Sequence, residues 1–102
     1  PAKLGRPLHA IITVTTRELT RVDRDSMAKN IAVEASITAA YGVTGEIDAI
    51  LIGYFVDMAE YQATCDRLFD EDKSIVRYTT HFVSETYFED VALSCDALRN
   101  SC

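Results

Sequence analysis

Hydrophobic and polar positions along the chain switch between two periods, and the switches set out an order of elements. Leu8 to Thr16 is β-rich, with three Thr and three Ile or Val among nine positions. Arg17 to Asp25 is polar and charge-rich, and reads as a loop ending at a helix start, with Asp25 or Ser26 as the cap. Met27, Ile31 and Ala35 then recur at i, i+4, i+8, which places them on one helical face. Ile37 to Val43 returns to a strand, Thr44-Gly45-Glu46 breaks it, and a second strand runs from Ile47 or Asp48 to Val56. Two strands joined by a short Gly-containing link read as a hairpin. Asp57 and Glu60 stand at the spacing of a capping box, ahead of a helical stripe of Met58, Tyr61, Cys65 and Leu68. After Asp70-Glu71-Asp72 a long β run extends from Ser74 to Tyr87. Val91, Cys95 and Leu98 suggest a C-terminal helix.

The order β-α-β-β-α-β predicts an α+β, ferredoxin-like sandwich: a four-stranded antiparallel sheet with helices on one face, plus the C-terminal helix. A sheet covered on one face should alternate apolar and polar side chains. The strand from Ala49 to Val56 does not. Ala49, Leu51, Gly53 and Phe55 form one apolar face, and Ile50, Ile52, Tyr54 and Val56 form a second. A chain this small has little left to cover the second face, so a partner protomer is the expected cover. The expectation is a homodimer packed sheet to sheet.

Composition adds exclusions. With 102 residues the chain is one domain, and its 48% hydrophobic and 25% charged residues are globular values. The net charge of −6 argues against direct grip on a phosphate backbone. No apolar run approaches the ~20 residues of a spanning helix, so no membrane role is expected. Cys65, Cys95 and Cys102 form neither a disulfide framework nor a zinc pattern, which fits a reducing, cytoplasmic setting. Cys65 is expected to be a small core residue.

Candidate chemistry is sparse. His9 and His81 lie in strands with no acidic or Cys partner at triad or ligand spacing, and a strand histidine with a structural role is the reading. The acidic turn at 70–72 lacks the alternation of a calcium loop. Gly42-Val43-Thr44-Gly45 has the G-x-x-G form of an RNA clamp, yet Glu46 and Asp48 beside it would repel phosphate. Two readings of this turn stay open. Gly45 supplies a positive-φ position while Asp48 hydrogen-bonds locally. Alternatively, the turn's backbone N–H groups meet the carboxylate of a small zwitterion, and Glu46 or Asp48 meets its ammonium. No catalytic residue, metal or cofactor is implied.

Tyr41-Gly42-Val43-Thr44-Gly45-Glu46-Ile47-Asp48, followed by apolar Ala49-Ile50-Leu51, resembles the core signature of the Lrp/AsnC family of feast/famine transcription regulators. Val56-Asp57-Met58 to Tyr61 is similar to that family's strand-to-helix step, and Ile75-Val76 through Thr80 to Val83 to its final strand. Pro1 to Pro7 resembles the linker after the family's winged helix-turn-helix module. The resemblance implies that residues 1–7 are this linker and residues 8–102 an effector-binding and oligomerisation domain. It further implies dimers assembling to a higher oligomer, commonly an octamer. A small effector, usually an amino acid, would bind between dimers near the turn, and DNA would be contacted only through the upstream module. Carried over by position, the candidate ligand contacts are Thr44, Gly45, Glu46 and Asp48, with Thr79 and Thr80 as weaker ones. The expected function is therefore that of a non-enzymatic sensing domain. A free-standing dimeric small-molecule-binding module and a small dimeric α/β-barrel enzyme are the alternatives.

Overall fold

In the computed structural model, which describes residues 5–89, the chain runs β1 (Leu8–Thr16), α1 (Arg21–Ala32), β2 (Ile37–Gly42), β3 (Ala49–Phe55), α2 (Met58–Cys65) and β4 (Ile75–Phe82). A turn of π-helix, Asp66–Asp70, extends α2. The strands form one antiparallel sheet in the order β2-β3-β1-β4, the arrangement of a split βαβ fold. Each βαβ crossover skips a strand position, so β1 and β3 lie at the centre and β2 and β4 at the edges.

The core follows from strand alternation. Ala10, Ile12 and Val14 of β1, with Leu51 and Phe55 of β3, are buried beneath the helices. Tyr61, Cys65, Leu68 and Phe69 close over them from α2 and the π-turn. The wider turn brings the consecutive residues Leu68 and Phe69 both into the core. Gly53 is required by close packing: a Cβ there would lie 2.8 Å from the Phe55 ring and 3.2 Å from Ile37.

Several strand ends shift by one or two residues from the sequence reading, and larger differences fall at α1, α2 and the end of β4. Helix α1 starts at Arg21, not after Asp25, because Thr20 and Asp23 cap it reciprocally. The Thr20 hydroxyl accepts from the Asp23 N–H at 3.1 Å, and the Asp23 carboxylate accepts from the Thr20 N–H at 3.2 Å. It ends at Ala32, leaving Ala35 beyond its apolar stripe. Met58 opens α2 but is 46% exposed, so the buried stripe starts at Tyr61. Strand β4 stops at Phe82, with one further ladder bond from the Val83 N–H to the His9 carbonyl, and Tyr87 is exposed. The C-terminal helix expected at Val91–Leu98 lies outside the described residues.

The second face of the sheet carries Ile11, Ile50, Ile52 and Tyr54, all half-buried. His9 stacks on Tyr54 there, with ring centroids 4.2 Å apart, and His81 pairs with Ile11 on the same face. Across the four strands Arg77 is the one fixed charge. The described helices pack on the other side.

Candidate functional site

The β2–β3 link is built from both of its ends. Gly42 closes β2, and the Val43 N–H donates to the Asp48 carbonyl at 3.0 Å. The Asp48 N–H donates to the Val14 carbonyl at 2.8 Å, and its carboxylate accepts from the Thr16 N–H at 2.8 Å. Asp48 therefore fastens the start of β3 to the end of β1. Val43 and Ile47 are half-buried, whereas Thr44, Gly45 and Glu46 are turned to solvent. Gly45 holds φ +127°, a region that side-chain-bearing residues rarely adopt. The link is thus anchored at both ends, by Val43 and Asp48, and presents three exposed residues between them.

Beside it, α1 stands off from β2 and leaves a groove of about 950 Å³. Thr44 and Asp48 line this groove; Gly45 and Glu46 do not. Thr79 and Thr80 are remote from it, on opposite faces of β4 at the far edge of the sheet. Thr79 pairs with Thr13 on the face away from the helices, and its carbonyl accepts from the Thr13 hydroxyl at 3.4 Å. Thr80 points toward α2, where its hydroxyl is hydrogen-bonded to the Tyr61 hydroxyl. One protomer therefore brings four of the six candidates together, at the link, and leaves the two threonines apart.

Sequence reasoning missed the cations of the groove. Arg17 and Arg24 are among the residues that line it, and the Arg24 guanidinium donates to the Leu19 carbonyl at 2.9 Å. The legible signal was the Thr20-x-x-Asp23 cap, which converts a charged loop into the first turn of a helix and so fixes where Arg24 lies.

Elsewhere the titratable groups are structural. Burial pushes the Cys65 thiol up and the Tyr78 hydroxyl up to about 12. Cys65 is buried in the core, as its helical stripe implied. Among the described residues no His, Cys, Asp and Glu cluster could hold a metal ion, and no helix is long and apolar enough to cross a membrane.

A family model described as the Lrp/AsnC ligand binding domain matches residues 9–93. Among solved structures, the chain resembles a transcriptional regulator from Neisseria meningitidis in complex with L-Met, at a TM-score of 0.77 and 20% identity, covering 96% of this chain and 63% of that one. An AsnC family transcriptional regulator from Agrobacterium tumefaciens gives a TM-score of 0.78 at 17% identity, with the same coverage of 96% and 63%. A hypothetical protein from Pyrococcus horikoshii gives 0.62 at 20% identity, covering 78% of this chain and 93% of that one. These likenesses establish a shared fold, and the chain spans 63% of the length of each of the two regulators. Comparison with curated proteins finds no match.

Proposed function

The chain belongs to the Lrp/AsnC ligand-binding domain family, and on that premise we propose that it is the effector-sensing and oligomerisation domain of a DNA-binding transcription regulator. Its effector is a small molecule, an amino acid, bound at the β2–β3 link. The observation that carries this reading is the fastening of Asp48 to Thr16, which anchors the end of the link beside an exposed Thr44-Gly45-Glu46 segment. A link anchored in this way spends less conformational entropy when a ligand docks. The L-Met in the Neisseria meningitidis regulator supports an amino acid as the class.

The two-faced sheet supports a dimer packed through the Ile11, Ile50, Ile52 and Tyr54 face, since a second copy would bury apolar surface with almost no charge to desolvate. Dimers then meet near the link, and Thr79 and Thr80 reach an effector only from a neighbouring protomer. Binding between dimers shifts the assembly and so repositions upstream DNA-binding modules. DNA contact belongs to those modules, and the setting is the cytoplasm.

Sedimentation of the wild-type chain against Gly45→Ala and Asp48→Ala tests the site. Loss of tetramer or larger species with the dimer retained supports it, whereas unaltered assembly and ligand response in both variants removes it. A free-standing sensing module is the second reading. It is favoured by the Pyrococcus horikoshii protein, of which the chain covers 93%, and an upstream helix-turn-helix in the same reading frame would exclude it.

A further inference from the structure

Arg6 is held at the end of the sheet opposite the β2–β3 link, where β1 and β2 begin and β3 ends. Three acceptors converge on one nitrogen of its guanidinium: the Glu60 carboxylate at 2.7 Å, the Ser36 hydroxyl at 2.9 Å and the Tyr54 carbonyl at 3.3 Å. They come from three places in the fold, namely the first turn of α2, the turn between α1 and β2, and β3 itself. The Glu60 carboxylate also accepts from the Val56 N–H at 2.8 Å. Ser36 is 4% exposed, one of two buried polar residues among those described. The folded domain therefore sets this niche, and Arg6 fills it from a position outside every helix and strand. Its neighbours leave the backbone little freedom. Pro7 fixes its own φ and biases Arg6 toward extended backbone, and Leu8 opens β1. Gly5 turns the chain at φ +72°, a conformation that glycine adopts at little steric cost.

We infer that Arg6 is a positioning residue, a latch that fixes the direction in which the chain upstream of Gly5 leaves the sheet. Residues 5–7, the last part of the expected linker, then belong to the rigid body of the domain. The consequence for DNA binding rests on the proposed function: an upstream module takes its orientation from the end of the sheet through Arg6. A guanidinium suits this task because it is permanently charged and planar, and it can hold a carboxylate, a hydroxyl and a carbonyl at once. A Lys ammonium keeps the charge but not that pre-organised fork. Because Ser36 lies in the turn after α1 and Glu60 lies in α2, both helices meet the exit of the chain at one side chain.

Nitrogen-15 relaxation and residual dipolar couplings of the 102-residue chain test the latch. In the wild-type chain the amide order parameters of Gly5 and Arg6 should reach the rigid-backbone value of about 0.85, and their couplings should fit the alignment of the sheet. The Arg6 guanidinium should show slowed rotation about its Nε–Cζ bond, the signature of a group held by several acceptors. Arg6→Gln should lower the order at Gly5 below about 0.6 and shrink its coupling toward zero, with the β1 values unchanged. Arg6→Lys should restore that order in part, and Ser36→Ala, which leaves the Glu60 ion pair in place, should fall between wild type and Arg6→Gln. Order below about 0.6 at Gly5 and Arg6 in the wild-type chain, or unchanged couplings in folded Arg6→Gln and Ser36→Ala, would overturn the latch. Amino-acid binding is read separately on the same samples, so a mobile Gly5 would remove the latch and leave the sensing role standing. Absence of amino-acid binding would remove the sensing role and leave the fixed exit standing.

Discussion

The carboxylate of Asp48 accepts a hydrogen bond from the backbone N–H of Thr16 at 2.8 Å, so the residue leading into β3 is held by the residue that ends β1. The same residue's N–H donates to the Val14 carbonyl. One residue, through its side chain and its backbone, thereby ties the link to the centre of the sheet.

Asp48→Ala should lower unfolding stability by about 1–2 kcal/mol, the usual scale for losing a charge-assisted hydrogen bond at a partly solvated site. Asp48→Asn keeps an acceptor oxygen and should lose less. Urea unfolding of the three proteins measures this, and equal midpoints would mean that the contact contributes nothing to the frame.

Gly53→Ala tests the packing beneath the sheet. An added Cβ would come within 2.8 Å of the Phe55 ring, which is fully buried and cannot retreat without disturbing the core. A loss of about 1–3 kcal/mol is expected from overpacking. Phe55→Ala should cost about 3–5 kcal/mol by leaving a cavity where the fully buried ring stood. Thermal unfolding reads both.

Acid sensitivity follows from two glutamates. The Arg67 guanidinium, forked onto Glu34 with contacts of 2.9 and 2.7 Å, holds the Glu34 carboxyl below its ordinary 4.5. The Val56 N–H does the same to Glu60, with Arg6 at 2.7 Å adding to it. A carboxyl whose folded value is lowered contributes stability that is complete above its unfolded value. That contribution is lost as pH falls through the folded value. Stability should therefore decline below about pH 4.5, and Arg67→Gln should flatten that decline. A pH series of urea midpoints checks the sign; an unchanged slope in Arg67→Gln would show that Glu34 is not the group responsible.

Ile52→Lys places a charge in the middle of the second sheet face while leaving the Leu51 and Phe55 side untouched. It should convert dimer to monomer in sedimentation with the circular dichroism of the fold retained. A dimer that persists in Ile52→Lys would locate the interface elsewhere.

The sheet was legible because its code is local. Alternation in β3 separated Leu51, Gly53 and Phe55 from Ile50, Ile52 and Tyr54, and the structure buries the first set and leaves the second half-buried. Asp57 was legible as a cap because its acceptor stands three residues before the Glu60 N–H it binds at 2.9 Å. The start of α1 was not. Six charges between Arg17 and Asp25 outweighed a single Thr-x-x-Asp pair in any composition-weighted reading, although that pair caps the helix. The link at 44–48 was legible from residue types. What was not legible is long-range: no spacing rule joins Asp48 to the Thr16 N–H, 32 positions earlier, or brings Arg17 and Arg24 into one groove with Asp48. Thr79 and Thr80, adjacent in β4, fall on opposite faces by the same local alternation.

The sensing role itself is tested most directly by thermal unfolding of the chain in the presence of each of the twenty amino acids at millimolar concentration. A ligand at ~100 times its dissociation constant adds about 2.7 kcal/mol to the folded state, which raises the midpoint of a domain of this size by several degrees. The account predicts such a rise with one or a few related amino acids. A midpoint unmoved by all twenty would contradict it.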